Sequence, residues 1–386
     1  MGFVPILKCR WNKAPINCLQ NFPDTLEMSK ILRFATVKIL TVLLLGQVAW
    51  ATPQTTSSTQ EAEPSSKTTF GPEWEFTTRQ LYYSKDAEKL YELQKAFIDK
   101  LYYICLSRGD CSVERNNPKS SDYGKVTYSD GWWFQVTLDM GTIEIISRPT
   151  TLSVFKKIKR RIDNHIFGVA QSLGLKTNSE SFGGGHIHIG IESSGLGSDP
   201  VLFRNFIVDF FNHDEMASGI LNDDDENALP FSRLPEEAKA YIRQSIKEFD
   251  DSPKSKEDLK ALIENINLAY KEFTAGDRYH ALNLLHADTV EIRSLRMQRN
   301  MDDFLKLLHL FQSRIDYLKT FEDKLIPLDE LKANNKPANH LQRFHRYVTE
   351  SKLKWGEYKT FLNDSYLHSA KKMKLEDCIA AGIEKN

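Results

Sequence analysis

Short stretches in which apolar and polar residues alternate recur between residues 70 and 300 of the chain. Successive side chains of a strand point to opposite faces, so a period of two indicates β-strands. The stretches are rich in β-branched and aromatic residues and end at turn residues, which favours the same interpretation. The predicted strands are GPEWEFT over 71–77, then 125–128, 132–138 and 141–147, HIHIGI over 186–191 and TVEIRSL over 289–295.

Longer segments carry apolar residues at helical spacing. In 86–105, apolar residues recur every three or four positions, as on one face of a helix. The segment 152–173 is followed by Gly174, and glycine is common just after the end of a helix. Further helices are predicted over 199–217, 235–249, 256–272, 304–321 and 338–363.

The connections between the predicted elements indicate the fold class. The strands within 125–147 follow one another too closely for parallel crossovers, so they are expected to pair antiparallel. Long helices separate the other strands. We therefore predict an α+β fold, in which a mostly antiparallel sheet has helices on its apolar face and is followed by C-terminal helices.

The N-terminal region differs in character from the rest. After Met28, three basic residues precede an apolar run over 39–48 and small residues at 49–51, the arrangement of a secretory signal peptide. The run is too short to span a bilayer core of about 30 Å, although an uncleaved amphipathic helix is an alternative.

This interpretation divides the chain into five segments. Residues 1–27 precede the expected start at Met28, 28–51 form the signal peptide, and 52–69, rich in Ser, Thr, Pro and Gln, form a disordered linker. The main domain is expected over 70–300 and a helical region over 301–386. We expect an exported protein, periplasmic or secreted, with no stable membrane span once the signal is cleaved.

The charge and the cysteine content further narrow the possible classes of protein. The 386 residues carry a formal net charge of −1, which gives no basic field for nucleic acid. Of the five cysteines, three follow the predicted signal peptide. Cys105 and Cys111 flank a turn-like LSRGD segment and could close a small disulfide loop in an oxidising compartment, which leaves Cys378 over. The chain has no Cys-x-x-Cys pair, which disfavours a zinc knuckle.

Four of the predicted strands carry ionisable residues on the face opposite their apolar residues. These residues are Glu73, Glu75, Glu144, His186, His188, Glu291 and Arg293. Each pattern taken alone is commonly a solvated face or a simple ion pair. If the strands share a sheet, however, the carboxylates converge and repel one another unless cations intervene. Carboxylates with an imidazole suit Mg²⁺ or Mn²⁺ better than zinc, and the arginine indicates phosphate.

Five motifs in this order resemble the glutamine synthetase-like carboxylate–amine ligases, and most closely their amidoligase branch. The matching segments are 71–76, 133–149, 185–190, 278–284 and 289–293. The implied metal ligands are Glu73, Glu75, Glu144, His186 and Glu291. The implied catalytic residues are Glu75, Arg293 and Arg296. The implied nucleotide contacts are His188, Arg293 and Arg299. Asn283 is expected to contact substrate.

The resemblance implies amide formation that depends on ATP and on Mg²⁺ or Mn²⁺. ATP would phosphorylate a carboxylate, and an amine would then displace phosphate from the acyl phosphate. A peptide, a protein side chain or a small amino acid remain open as substrates. Export places the protein where ATP is scarce, so an exported binding protein without turnover is one alternative. A metal-dependent hydrolase using the His-x-His strand is another, although such sites are built on an eightfold βα barrel.

Overall fold

The computed structural model of the protein describes residues 67–115, 124–139, 141–175, 184–217, 220–221, 228–273, 280–329 and 337–362. The predicted signal peptide, the predicted linker as far as residue 66, and Cys378 lie outside these ranges. Among the described helices, none combines the length and the apolar character that a bilayer span requires.

Within the described ranges, nine strands form one sheet, numbered β1 to β9 along the chain. Their bounds are Thr69–Phe76, Cys111–Arg115, Gly124–Tyr128, Trp133–Asp139, Thr142–Ser147, Thr150–Thr151, Gly185–Gly190, Leu282–Asn283 and Thr289–Ile292. The spatial order is β2-β3-β4-β5-β1-β7-β9-β8, and β6 pairs with β1. All pairings between these strands are antiparallel, so the predicted α+β fold with a mostly antiparallel sheet is confirmed.

Helices account for most of the remaining described chain. The α-helices, α1 to α11, are Arg79–Ser84, Ala87–Arg108, Leu152–Ile162, Gly168–Ser172, Ile191–Ser194, Pro200–Asn212, Glu236–Asp251, Lys256–Phe273, Met301–Lys319, Pro337–Glu350 and Trp355–Tyr358. A π-helical turn, Asp163–Phe167, joins α3 to α4. Short 3₁₀ turns lie at Leu196–Ser198, Asp214–Met216, Phe231–Arg233 and Lys359–Phe361.

The apolar face of the sheet lies against aromatic residues of the helical segments. Trp74 of β1 is fully buried and meets Phe167 and Phe304 edge to face, with ring centroids 5.8 and 5.1 Å away. Such aromatic pairs contribute about 0.5–1.5 kcal/mol each beyond the area they bury. Because side chains alternate along β1, burying Trp74 directs Glu73 and Glu75 to the opposite face.

The structure corrects several predicted boundaries. The strand predicted over 289–295 ends at Ile292, although the Arg293 amide still donates to the Ala281 carbonyl. The helix predicted over 199–217 ends at Asn212. The helix predicted over 338–363 ends at Glu350, shortly before Lys352, which has a left-handed φ of 59° that a continuing helix cannot contain.

One buried ion pair joins the helical layers far from the polar face of the sheet. Arg314 of α9 donates from Nε to Asp209 Oδ2 at 2.8 Å, and its Nη2 bonds the other carboxylate oxygen. Its Nη1 donates to Glu350 at 3.0 Å, and the guanidinium lies 4.3 Å from the ring centroid of Tyr347. Asp209 lies on α6, which is buried from residue 201 to residue 212, so its carboxylate needs compensation. Arg314 supplies most of it, and His213 Nε2 lies 3.7 Å from Oδ1.

The disulfide that the sequence suggested is present. Cys105, in the last turn of α2, is bonded to Cys111 at the start of β2. The chain turns between them at Gly109, whose φ of 69° lies in the left-handed region that glycine adopts without strain. The bond therefore fastens the beginning of β2 to the helix that precedes it.

Replacing both cysteines by alanine should lower the free energy of unfolding by about 2 kcal/mol, the chain-entropy value for so short a loop. Urea titrations of the wild type and the double variant measure this difference. Without reduction, a tryptic digest should contain LYYICLSR linked to GDCSVER, because Arg108 lies between the cysteines. Recovery of the two peptides unlinked would contradict the bond.

Candidate metal centre

The strand order brings the predicted polar faces together, because β5, β1, β7 and β9 are consecutive neighbours. In the register, Glu75 lies opposite Glu144, and Glu73 lies opposite His186. On the next pair of strands, His188 lies opposite Glu291. Directly opposed side chains in an antiparallel pair have Cβ atoms about 4.5–5.5 Å apart. The convergence expected from the sequence is therefore what the register produces.

Glu73 lies between the two histidines of β7. One of its carboxylate oxygens is 3.3 Å from His186 Nδ1, and the other is 3.0 Å from His188 Nε2. Burial acts to raise the pKa of Glu73, but the hydrogen bonds from both histidines lower it well below its ordinary value. Glu73 is thus held as a carboxylate, the form that binds a cation.

Gly184, which precedes the His-x-His strand, bonds Glu75 through its backbone. Its amide donates to Glu75 Oε2 at 2.6 Å, and its carbonyl accepts from the Glu75 amide at 3.1 Å. A Cβ atom at this position would lie 2.8 Å from His186 Nε2 and 3.2 Å from Glu75 Oε2. The absent side chain therefore lets the backbone approach and orient the Glu75 carboxylate.

Glu144 and Asp139 extend the carboxylate row beside Glu75. Ligand oxygens of these three residues lie within 4.8 Å of one another. Burial and the negative charge of Glu73 raise the pKa of Glu144 to about 7, although a hydrogen bond from Thr137, at 2.7 Å, acts in the opposite direction. Carboxylates this close repel one another, and a divalent cation would remove that repulsion.

His186 is the buried imidazole at the centre of the polar face. Its Nδ1 lies 3.5 Å from Glu291 Oε1, and its Nε2 lies 3.7 Å from Glu75 Oε1. Burial acts to lower the pKa of His186, but Glu75 and Glu73 outweigh it and raise the pKa to about 9. A metal ion bound to His186 would replace its proton.

Glu291 has the most partners of the carboxylates on this face, and its side chain is only 1% exposed. Arg293 donates to Oε1 at 2.7 Å, Asn283 donates to Oε2 at 2.7 Å, and His286 Nε2 is 3.1 Å from Oε2. Burial acts to raise the pKa of Glu291, but the positive charges of Arg293 and His186 lower it. The group is therefore ionised despite its burial.

The three candidate arginines occupy different surroundings. Arg293 belongs to the cluster through Glu291, and its Nε atom is buried without a hydrogen-bond partner. Arg296 donates from Nη2 to the Phe361 carbonyl at 2.7 Å. Arg299 forms an ion pair with Asp303 in the first turn of α9, at 2.5 Å. Of these contacts, the one made by Arg293 is to a carboxylate of the cluster.

Two residues of the cluster escaped sequence reasoning. Asp139 is the last residue of β4, and His286 lies in the connection between β8 and β9, where no alternation marks a side chain as inward-facing. From the sequence alone, His286 is interpreted as an ordinary core or surface histidine. Only the register of β8 on β9, which sets Asn283 opposite Glu291, shows that this connection returns to the metal centre.

The donor sets fit divalent cations of two kinds. One set contains only carboxylates, from Glu75, Asp139 and Glu144, and suits Mg²⁺. A second set, Glu73, His186 and Glu291, adds one imidazole, which Mn²⁺ also accepts. All five predicted metal ligands belong to these two sets.

Neither a protein-family model nor a curated protein sequence matches this chain. The resemblance to the amidoligases accordingly rests on the five sequence motifs.

Proposed function

We propose that the protein is an ATP- and Mg²⁺-dependent ligase that joins a carboxylate to an amine through an acyl phosphate. The supporting observation is the pair of adjacent donor sets, three carboxylates beside two carboxylates and an imidazole, on one face of an antiparallel sheet. Two neighbouring divalent ions bound there would neutralise the phosphate oxygens of ATP and orient the γ-phosphoryl group.

In this proposal the residues of the chain hold and orient the reactants. Glu75 and Glu144 hold one cation, and Gly184 fixes the orientation of Glu75. Glu73 and His186 hold the other together with Glu291. The fixed strand register keeps both positions without movement at the moment of reaction, which is the preorganisation that stabilises a charged transition state.

Arg293 is the arginine we assign to the transferring phosphoryl group. Its Nη1 is bonded to Glu291, which aligns the guanidinium, while its buried Nε has a free donor. Arginine presents several donors in a plane that suits phosphate oxygens. Arg296 and Arg299 would reach a phosphate only after breaking their bonds to Phe361 and Asp303. We therefore regard them as weaker candidates than Arg293 for contacting the phosphoryl group.

The hydrolase alternative loses support from the fold. Metal-dependent hydrolases with a His-x-His strand are built on closed parallel barrels, whereas β7 lies in an open antiparallel sheet. The binding-protein alternative keeps the same sheet but lacks turnover, and nucleotide binding separates it from the ligase. We keep export as part of the proposal, with an unidentified carboxylate and amine as the substrates.

The test is trapping of the acyl phosphate by hydroxylamine. The purified full chain is incubated with ATP, Mg²⁺ and hydroxylamine, together with a panel of amino acids and peptides that carry free carboxylates. An acyl phosphate would release inorganic phosphate and yield an equal amount of hydroxamate, both dependent on the added carboxylate. Hydroxamate that depends on the added carboxylate would support the ligase, whereas a folded chain that binds no ATP would contradict it and favour an exported binding protein.

A further inference from the structure

We propose that His188, His286 and Glu291 form a third metal site, selective for an ion of the zinc class. These residues come from β7, from the β8–β9 connection and from β9. The site shares Glu291 with the mixed donor set, but its two imidazoles, His188 and His286, belong to neither of the sets assigned to Mg²⁺. It neither requires ATP nor depends on the ligase activity.

The three ligand atoms already lie near one another. His286 Nε2 is 3.1 Å from Glu291 Oε2, and His188 Nε2 is 3.9 Å from Glu291 Oε1. The two imidazole rings have centroids 5.1 Å apart at an angle of 64°, so they meet edge to face without stacking. Ligands of a tetrahedral zinc ion are about 3.4 Å from one another, so small side-chain rotations would complete the site.

Hydrogen bonds around the three ligands fix their orientation. His188 Nδ1 is 3.0 Å from Thr289 Oγ1, so Nε2 is the nitrogen that would bind the metal, in exchange for its 3.0 Å contact with Glu73 Oε1. Asn283 donates to Glu291 Oε2 at 2.7 Å, and the Leu285 amide in turn donates to Asn283 Oδ1 at 3.0 Å. Such outer contacts orient metal ligands and are typical of built metal sites.

Ligand chemistry and exposure decide the class of ion. Two imidazoles with one carboxylate suit zinc, whereas Mg²⁺ prefers oxygen ligands alone. The His286 side chain is 47% exposed, so an ion can enter from solvent, and a fourth position remains for water. Oε1 of Glu291 contacts Arg293, and Oε2 contacts His286. One oxygen of this carboxylate therefore faces the mixed donor set, and the other faces the proposed zinc site.

The test is a titration of the purified full chain with Zn²⁺ alone, in the absence of Mg²⁺ and ATP. Wild type, His286→Ala, His188→Ala and the control His345→Ala are compared by calorimetry. Co²⁺ in place of Zn²⁺ should give the visible absorption of a four-coordinate ion in the wild type and the control. Circular dichroism checks that each variant is folded.

We expect one equivalent of Zn²⁺ to bind at least about 100-fold more weakly in His286→Ala and in His188→Ala, since outer contacts alone are worth about 10–100-fold. His345→Ala should bind as the wild type does. A folded wild type that binds no Zn²⁺, or an equivalent that survives in His286→Ala, would overturn the site. Because ATP and Mg²⁺ are absent, either result leaves the ligase proposal to its own test.

Discussion

Glu291→Gln should abolish saturable binding of Mg²⁺ and ATP. The carboxylate is a ligand of the mixed donor set and holds Arg293 at 2.7 Å, so its loss removes one metal ligand and releases the arginine. Mutation of outer-shell partners alone costs about 10–100-fold in metal affinity, and loss of a direct ligand should cost about 100-fold or more. Calorimetric titration of the full chain with ATP at saturating Mg²⁺ measures the effect.

Two controls separate a lost ligand from a damaged fold. Glu264→Gln makes the same chemical change on an exposed position of α8 and should bind as the wild type does. Glu73→Gln removes another ligand, from a less buried side chain, and should be as defective as Glu291→Gln. Wild-type affinity in a folded Glu291→Gln protein would rule out the metal centre as the nucleotide site.

Arg314→Met should strongly destabilise the fold. It removes the guanidinium that bonds both carboxylate oxygens of the buried Asp209 and leaves only His213, 3.7 Å away, and Glu350 loses a hydrogen bond. Breaking a buried ion pair from one side costs about 3–5 kcal/mol, because the remaining charge is desolvated and uncompensated. Urea unfolding, followed by far-ultraviolet circular dichroism, should show a lower midpoint with a similar slope.

Arg346→Met is the matched control, because Arg346 also bonds Glu350, at 2.6 Å, but its side chain is 75% exposed. An exposed pair contributes about 0–1 kcal/mol, so this variant should unfold close to the wild type. Equal losses in the two variants would mean that burial of Asp209 does not set the cost. The ion pair of Arg314 would then contribute no more to the free energy of unfolding than an exposed pair does.

The sequence was most informative where a local rule applies. The alternation in β1, β5, β7 and β9 assigned each ionisable side chain to the correct face, because a strand places successive residues on opposite sides. Helical spacing predicted α2, α7, α8 and α9 to within a few residues of their ends, and the helix predicted over 152–173 matches α3, the π-helical turn and α4 taken together. These elements follow from neighbours in the chain, and so does the Cys105–Cys111 loop.

Other features depend on contacts between distant parts of the chain. The pairing of Glu73 with His186 depends on β7 lying beside β1, although 113 residues separate the two side chains. Arg314 and Asp209 are 105 residues apart on helices whose sequence patterns predict only which faces are apolar. His286 lies outside any strand, so no periodicity marked it. Register and packing, which one sequence does not encode locally, decided all three.

The ends of the sheet bear on how the protein behaves at high concentration. In the described part of the chain, the outermost strands are β2 and β8. An open strand edge is a template for another chain, and proteins avoid aggregation by keeping such edges short or charged. Strand β8 spans two residues, while β2 carries Glu114 and Arg115 and is fastened to α2 by Cys111. Reduction would remove this restraint on the longer edge, so self-association at high concentration should increase under reducing conditions.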